Sequence, residues 1–92
     1  MEEMCINIPK HFAVEEAGDF REKIYFSIQE GKKHFVLDFS ECFFVDSTGL
    51  GVLVSAYKKC KELNGELILK NINPDVMRVF KLTRLDSIFN II

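Results

Sequence analysis

The sequence predicts a small α/β domain, a parallel-type sheet of about four strands with helices packed on it. Three observations carry this. Short apolar runs alternate along the chain with segments whose apolar residues recur every three to four positions, the pattern of strands alternating with amphipathic helices. The 92 residues leave room for one domain, residues 1–92. Hydrophobic residues at 48% against charged residues at 28% fit a soluble globular chain rather than a disordered one. A chain of this size buries about 60–65% of its unfolded surface. The core must be compact, with little room for an internal substrate cavity.

Met4–Ile8 is an apolar run closed by Pro9, a strand that stops where the ring removes an N–H. From about Val14 to Glu30, Ala17, Phe20, Ile24 and Ile28 form one stripe, with Glu15, Glu16, Glu22, Lys23 and Glu30 off it; Gly31 ends this helix. His34–Phe39 reads as a buried strand, and Cys42–Val45 as a short aromatic and β-branched one. Asp46-Ser47-Thr48-Gly49 supplies turn and N-cap chemistry, after which Leu50, Leu53, Tyr57, Cys60 and Leu63 repeat at helical spacing up to the stop at Asn64-Gly65. Glu66–Lys70 is the next strand. Asn73-Pro74 is a cap with proline at the first helical position, opening a helix through about Leu82, and Phe89–Ile92 is a final short strand. Pro9–Ala13 reads as a loop, and the two histidines, His11 and His34, as surface or edge residues.

Composition excludes several function classes. With 12 Lys+Arg against 14 Asp+Glu the net charge is −2, which argues against a nucleic-acid or anionic-membrane binder. No apolar stretch approaches the ~18 residues needed to span a bilayer. The acidic start, Met-Glu-Glu-Met-Cys, lacks the basic region of a signal peptide. Cys5, Cys42 and Cys60 are odd in number with no Cys-x-x-Cys pair, and read as small buried or half-buried apolar residues. Together these features predict a cytoplasmic protein. The 9 Phe, spread through the apolar runs of a chain without Trp, read as core filler.

The informative segment is Phe43-Phe44-Val45-Asp46-Ser47-Thr48-Gly49-Leu50-Gly51, where two hydroxyls and two glycines sit at a helix start. First-turn N–H groups lack intrahelical partners, and the macrodipole favours an anion there by about 0.3–1 kcal/mol when exposed and up to ~2 when partly buried. A phosphoserine, with roughly −1.5 to −2 charges, is such an anion. Gly49 and Gly51 remove bulk beside the hydroxyl, so another protein's surface can come close. On spacing alone a plainer account also holds: Ser47 or Thr48 caps the helix and the glycines make the turn.

Enzyme chemistry does not fit the segment. A phosphate-cradling loop needs a longer glycine-rich run ending in Lys-Ser/Thr. A Gly-x-Ser-x-Gly elbow needs glycine where Val45 stands. A triad needs a placed histidine base. A nucleotide-binding or hydrolytic domain is a third option that the want of a phosphate loop or catalytic base argues against.

Asp46-Ser47-Thr48-Gly49-Leu50-Gly51 after a short apolar strand resembles the signature of STAS domains, in particular the anti-sigma-factor antagonists of bacteria. Asn64 to Pro74, Val79 to Asp86 and the strand Phe35-Val36-Leu37-Asp38-Phe39 agree, so the likeness runs from about Cys5 to Ile92. The resemblance implies a partner switch. Such an antagonist binds an anti-sigma factor that is also a serine kinase and so releases a sigma factor. The kinase phosphorylates the serine after the aspartate, Ser47 here, and the complex falls apart; a phosphatase resets it. The antagonist has no cofactor, ATP belonging to the kinase, and is not an enzyme. Asp46, Thr48, Gly49, Leu50, Gly51, Ser55 and Lys58 are then expected in the partner contact, and a bulky residue at Gly49 or Gly51 is expected to block the complex without unfolding the domain.

The chain departs from the family in four places. An additional strand before Met4–Ile8 and a further helix after the last strand are usual, so the domain is expected to be shortened at both ends. The loop after the first strand, usually with Gly and then Asp, reads Pro9-Lys10-His11-Phe12-Ala13. Arg84 stands at the third helix end where Gly is usual, which predicts φ > 0 there. The bare Met4–Ile8 edge predicts a site for self-association or docking of another strand. The alternative function is a STAS interaction or scaffold module that is not phosphorylated.

Overall fold

Along the computed structural model, which describes residues 3–92, the elements run β1 (Met4–Asn7), β2 (His11–Phe12), α1 (Val14–Gln29), β3 (His34–Asp38), β4 (Phe44–Val45), α2 (Ser47–Glu62), β5 (Glu66–Lys70), α3 (Pro74–Leu82), a 3-10 turn (Leu85–Ser87) and β6 (Asn90–Ile91). Met1 and Glu2, part of the acidic start, lie outside the described residues. Four strands form one parallel sheet in the order β1-β3-β5-β6, with Ile6 beside Leu37 and Leu37 beside Leu69.

The strand order advances in one direction only. Each step is bridged by a helix, and right-handed crossovers in one direction place every helix on the same face. Burial agrees. Ile6, Phe35, Leu37, Leu67 and Leu69 of the sheet join Ala17, Phe20 and Ile24 of α1, Leu50, Leu53, Ala56 and Cys60 of α2, and Val76 and Phe80 of α3 in one core. Cys5 and Asn7, pointing the other way from β1, are exposed. Edge-to-face ring pairs Phe39–Phe80, Phe80–Phe89 and Tyr57–Phe89 carry the core to the β6 end.

Several local features follow the expected chemistry. Asn73 caps α3, its side-chain oxygen accepting the Val76 N–H at 2.9 Å, while its Nδ2 donates to the Cys42 carbonyl at 2.8 Å and ties β4's approach to α3. Asp38 accepts the Ser40 N–H at 2.9 Å and the Asn71 amide at 3.1 Å, in that order the chief causes of a carboxyl held below its ordinary range. Arg84 takes the left-handed conformation, φ 63°.

Two expectations need correction. Pro9–Ala13 is not an open loop: it contains β2, which pairs in parallel with β4, His11 beside Phe44 and Phe12 beside Val45. The single expected sheet is therefore joined by a two-stranded ladder. The α2 stop falls at Asn64-Gly65 as expected. Asn64, at φ 59°, holds the left-handed position, and Gly65 is required because a Cβ there would overlap the Lys33 carbonyl. Finally, Phe26, Phe43 and Phe44 are exposed and are not core filler.

Candidate functional site at the start of the second helix

The ladder of β2 and β4 fixes where α2 begins. Val45 is buried, and Asp46 turns the chain as N-cap, with φ −102° and ψ −177°. Its carboxylate accepts the Gly49 N–H at 2.9 Å and its carbonyl accepts the Leu50 N–H at 3.0 Å. Such a cap contributes about 1 kcal/mol. The plainer account of the hydroxyls is corrected here: neither Ser47 nor Thr48 caps α2, because Asp46 does. Asp46 in turn is anchored to β2, its N–H donating to the Phe12 carbonyl at 3.3 Å.

Ser47 therefore opens the helix at its first position, with Thr48 at the second, and both are exposed. Among the described residues their hydroxyls have no hydrogen-bond partner, and their N–H groups are orphan donors of the first turn. An anion on Ser47 would meet these N–H groups and the positive end of the helix. The one carboxylate beside it, Asp46, is committed to Gly49.

Of the remaining residues expected in the contact, Gly51, Ser55 and Lys58 follow Ser47 along the exposed side of α2. Ser55 and Lys58, with Lys59, also line an open groove against Tyr25, Ile28 and Gln29 of α1. Lys59 pairs with Glu62 at 3.8 Å on the solvated face.

Gly49 and Leu50 are buried instead. Leu50 belongs to the core. At Gly49 a Cβ would lie 2.6 Å from the Phe12 carbonyl oxygen and 2.7 Å from its ring. The space left by this glycine is filled by β2 from within the chain, so a bulky residue at Gly49 disturbs the domain itself. At Gly51 an added Cβ meets nothing within 4 Å, and there the expected openness to a partner is compatible with the geometry.

Sequence reasoning missed three residues beside Ser47. Phe43 and Phe44 are exposed, and His11 lies flat on Phe44 with ring centroids 4.5 Å apart and planes at 20°. The signal available was the doubled Phe just before the cap, a position where a two-residue strand cannot bury both rings. No cluster of His, Cys, Asp or Glu among the described residues is arranged to hold a metal. Likewise no helix among them is long and apolar enough to cross a membrane.

The STAS-domain family model matches residues 2–92. The chain belongs to the STAS-domain family. An anti-sigma-B factor antagonist from Bacillus subtilis is 33% identical over 86 residues, covering 94% of this chain and 78% of that protein. One from Listeria monocytogenes is 38% identical over 55 residues, 60% of this chain, and the match spans about half of that relative, 48% of its length. Among solved structures, a Thermotoga maritima protein assigned to the anti-sigma factor antagonists superposes with a TM-score of 0.86 at 29% identity, covering 95% of this chain and 77% of that one. The phosphorylated form of the Bacillus cell-fate determinant SpoIIAA shares the fold, with a TM-score of 0.78 at 23% identity over 99% of this chain and 83% of the other. STAS antagonists of this kind are regulatory, non-catalytic proteins.

Proposed function

We propose that this STAS protein is an anti-sigma-factor antagonist. It binds an anti-sigma factor that is also a serine kinase, releases the sigma factor held there, and is switched off by phosphorylation of Ser47. A phosphatase restores it. The similarity to anti-sigma-B factor antagonists supports the partner class. One observation supports an acceptor here: the Ser47 hydroxyl is exposed at the first turn of α2 and is not spent on capping, which falls to Asp46. Thr48 shares that exposure, and Ser47 is chosen over it by the resemblance, as the serine that follows the aspartate.

The energetics favour release without refolding. A dianion on Ser47 is tolerated in the free protein because the orphan N–H groups and the helix dipole face it. Against a docked surface it loses water and adds like charge beside Asp46. A penalty of about 2–5 kcal/mol, typical of a buried charge left unpaired, weakens the complex by roughly 30- to 4,000-fold at ~1.4 kcal/mol per decade.

The test pairs two variants in titration calorimetry against the purified anti-sigma factor. Ser47→Ala should bind as the wild type does, and Ser47→Asp should bind at least tenfold more weakly. Equal affinities would remove the switch. Incubation with the kinase and ATP followed by intact mass addresses the scaffold alternative, in which no phosphate is added.

A further inference from the structure

Two aromatic rings sit in solvent next to the proposed acceptor. Phe43 is 62% and Phe44 45% exposed, although consecutive phenylalanines in a domain this small would ordinarily be drawn into its core. Their backbone is held firmly in this position. The N–H groups of both donate to the Lys10 carbonyl, at 2.9 and 3.2 Å, Phe44 pairs with His11 across the ladder, and the His11 ring covers one face of the Phe44 ring. Cys42 and Val45 on either side are buried, so the pair projects from an anchored base.

The reach of the chain keeps these residues close to Ser47. Phe44 precedes Ser47 by three residues and Phe43 by four, at most about 11 and 14 Å of extended chain. A stable interface covers about 800 Å² on each partner, a patch on the order of 30 Å across. A protein centred on Ser47 and extending toward β4 is therefore large enough to reach the rings. The exposed stripe of α2 supplies Ser47, Gly51 and Ser55, which are small and offer little apolar area. Interface affinity concentrates in a few buried aromatic anchors, and Phe43 and Phe44 are the exposed aromatic residues nearest to Ser47 along the chain.

We propose that Phe43, next in the chain to the stacked pair of Phe44 and His11, is the apolar anchor of the complex, and that the occupant is the anti-sigma factor itself, presenting an aliphatic or aromatic socket. This rests on the reading of the α2 start as the docking site. It divides the work between two neighbouring features: Phe43 supplies affinity, and Ser47 supplies the switch.

The experiment measures binding of purified anti-sigma factor to the wild type and to four variants, Phe43→Ser, Phe43→Leu, Ser47→Asp and Leu82→Ser. Leu82, 78% exposed at the end of α3, controls for loss of an exposed apolar residue elsewhere. Phe43→Ser should weaken binding roughly 10- to 100-fold, as truncated anchors do. Phe43→Leu should keep most of the affinity, Leu82→Ser should stay within about twofold, and the melting temperature of Phe43→Ser should match the wild type's. If Phe43→Ser binds as tightly as the wild type while Ser47→Asp does not, the anchor is refuted and the switch survives. If Phe43→Ser is weak but Ser47→Asp binds normally, the anchor survives and the switch fails. A wild type that binds no anti-sigma factor overturns both. A wild type that sediments as a dimer, with Phe43→Ser a monomer, assigns the patch to a second copy and overturns the anchor.

Discussion

Two glycines in one turn of α2 should respond to the same substitution in opposite directions. Gly51→Ala places a methyl group in open space on an exposed helical position. Alanine gains about 0.5–1 kcal/mol over glycine in a helix. At about 4–8 °C per kcal/mol for a domain of this size, the melting temperature should rise by roughly 2–8 °C. At Gly49 the same gain is opposed by a Cβ 2.6 Å from a backbone oxygen of β2 and 3.2 Å from Val45. Backbone is the less yielding neighbour, and this oxygen also accepts the Asp46 N–H, so relief by moving β2 weakens the link that sets the cap. Overpacking of this kind costs about 1–3 kcal/mol, and with the backbone involved its upper half applies. The net effect is a loss of about 1–2.5 kcal/mol and a fall of roughly 4–20 °C. Calorimetric melts of both variants, with urea titrations to verify an unchanged m-value, measure this directly. A Gly49→Ala protein that melts at or above the wild type would refute the assignment of Gly49 to internal packing and return it to the partner surface.

Arg84→Gly should stabilise the domain: Arg84 is exposed at φ 63°, and relief of a left-handed conformation worth about 1–2 kcal/mol exceeds the ~0.4–1 kcal/mol that glycine adds to the unfolded chain's freedom. A thermal melt lower than the wild type's would contradict it. The thiols should also separate by reactivity. Cys5 is exposed, whereas burial raises the Cys42 thiol and pushes Cys60 up to about 11. A brief exposure to a thiol reagent near pH 8 should add one adduct to the native protein and three in denaturant, counted by intact mass; two or three rapid native adducts would sink this.

Much of the fold was legible because period and cap chemistry agreed. Glu66–Lys70 and the end of the third helix at Leu82 match the structure, and the Asn73-Pro74 start differs from it by no residue. Asp46-Ser47-Thr48 was ambiguous for a physical reason. All three residue types cap helices, and only the side chain that reaches the N–H three positions on settles which one does. The role of Gly49 was hidden because its neighbour, Phe12, comes from β2, and two-residue strands carry too little sequence to show a period. Phe43 and Phe44 misled for the converse reason. A short apolar run reads as buried, yet the β2–β4 ladder has one covered side, which Phe12 and Val45 fill.

These corrections tighten the proposed mechanism. A serine hydroxyl at a helix start can serve as its cap, and phosphorylating such a cap would alter the helix. Here the cap is Asp46, whose carboxylate is engaged by Gly49 and whose N–H is held by β2. Gly49 is itself pressed against that same strand. The start of α2 is thus fastened at three points, none of which is the Ser47 hydroxyl. A phosphate there adds charge to a fixed surface and removes no hydrogen bond that the fold uses. The free protein offsets part of that charge with two orphan N–H groups and the helix dipole, worth up to about 2 kcal/mol; a partner pressed over the Phe43 side excludes the water that offsets the rest. On the proposed reading, discrimination arises from what the complex cannot hydrate, and a rigid junction serves it better than a moving one.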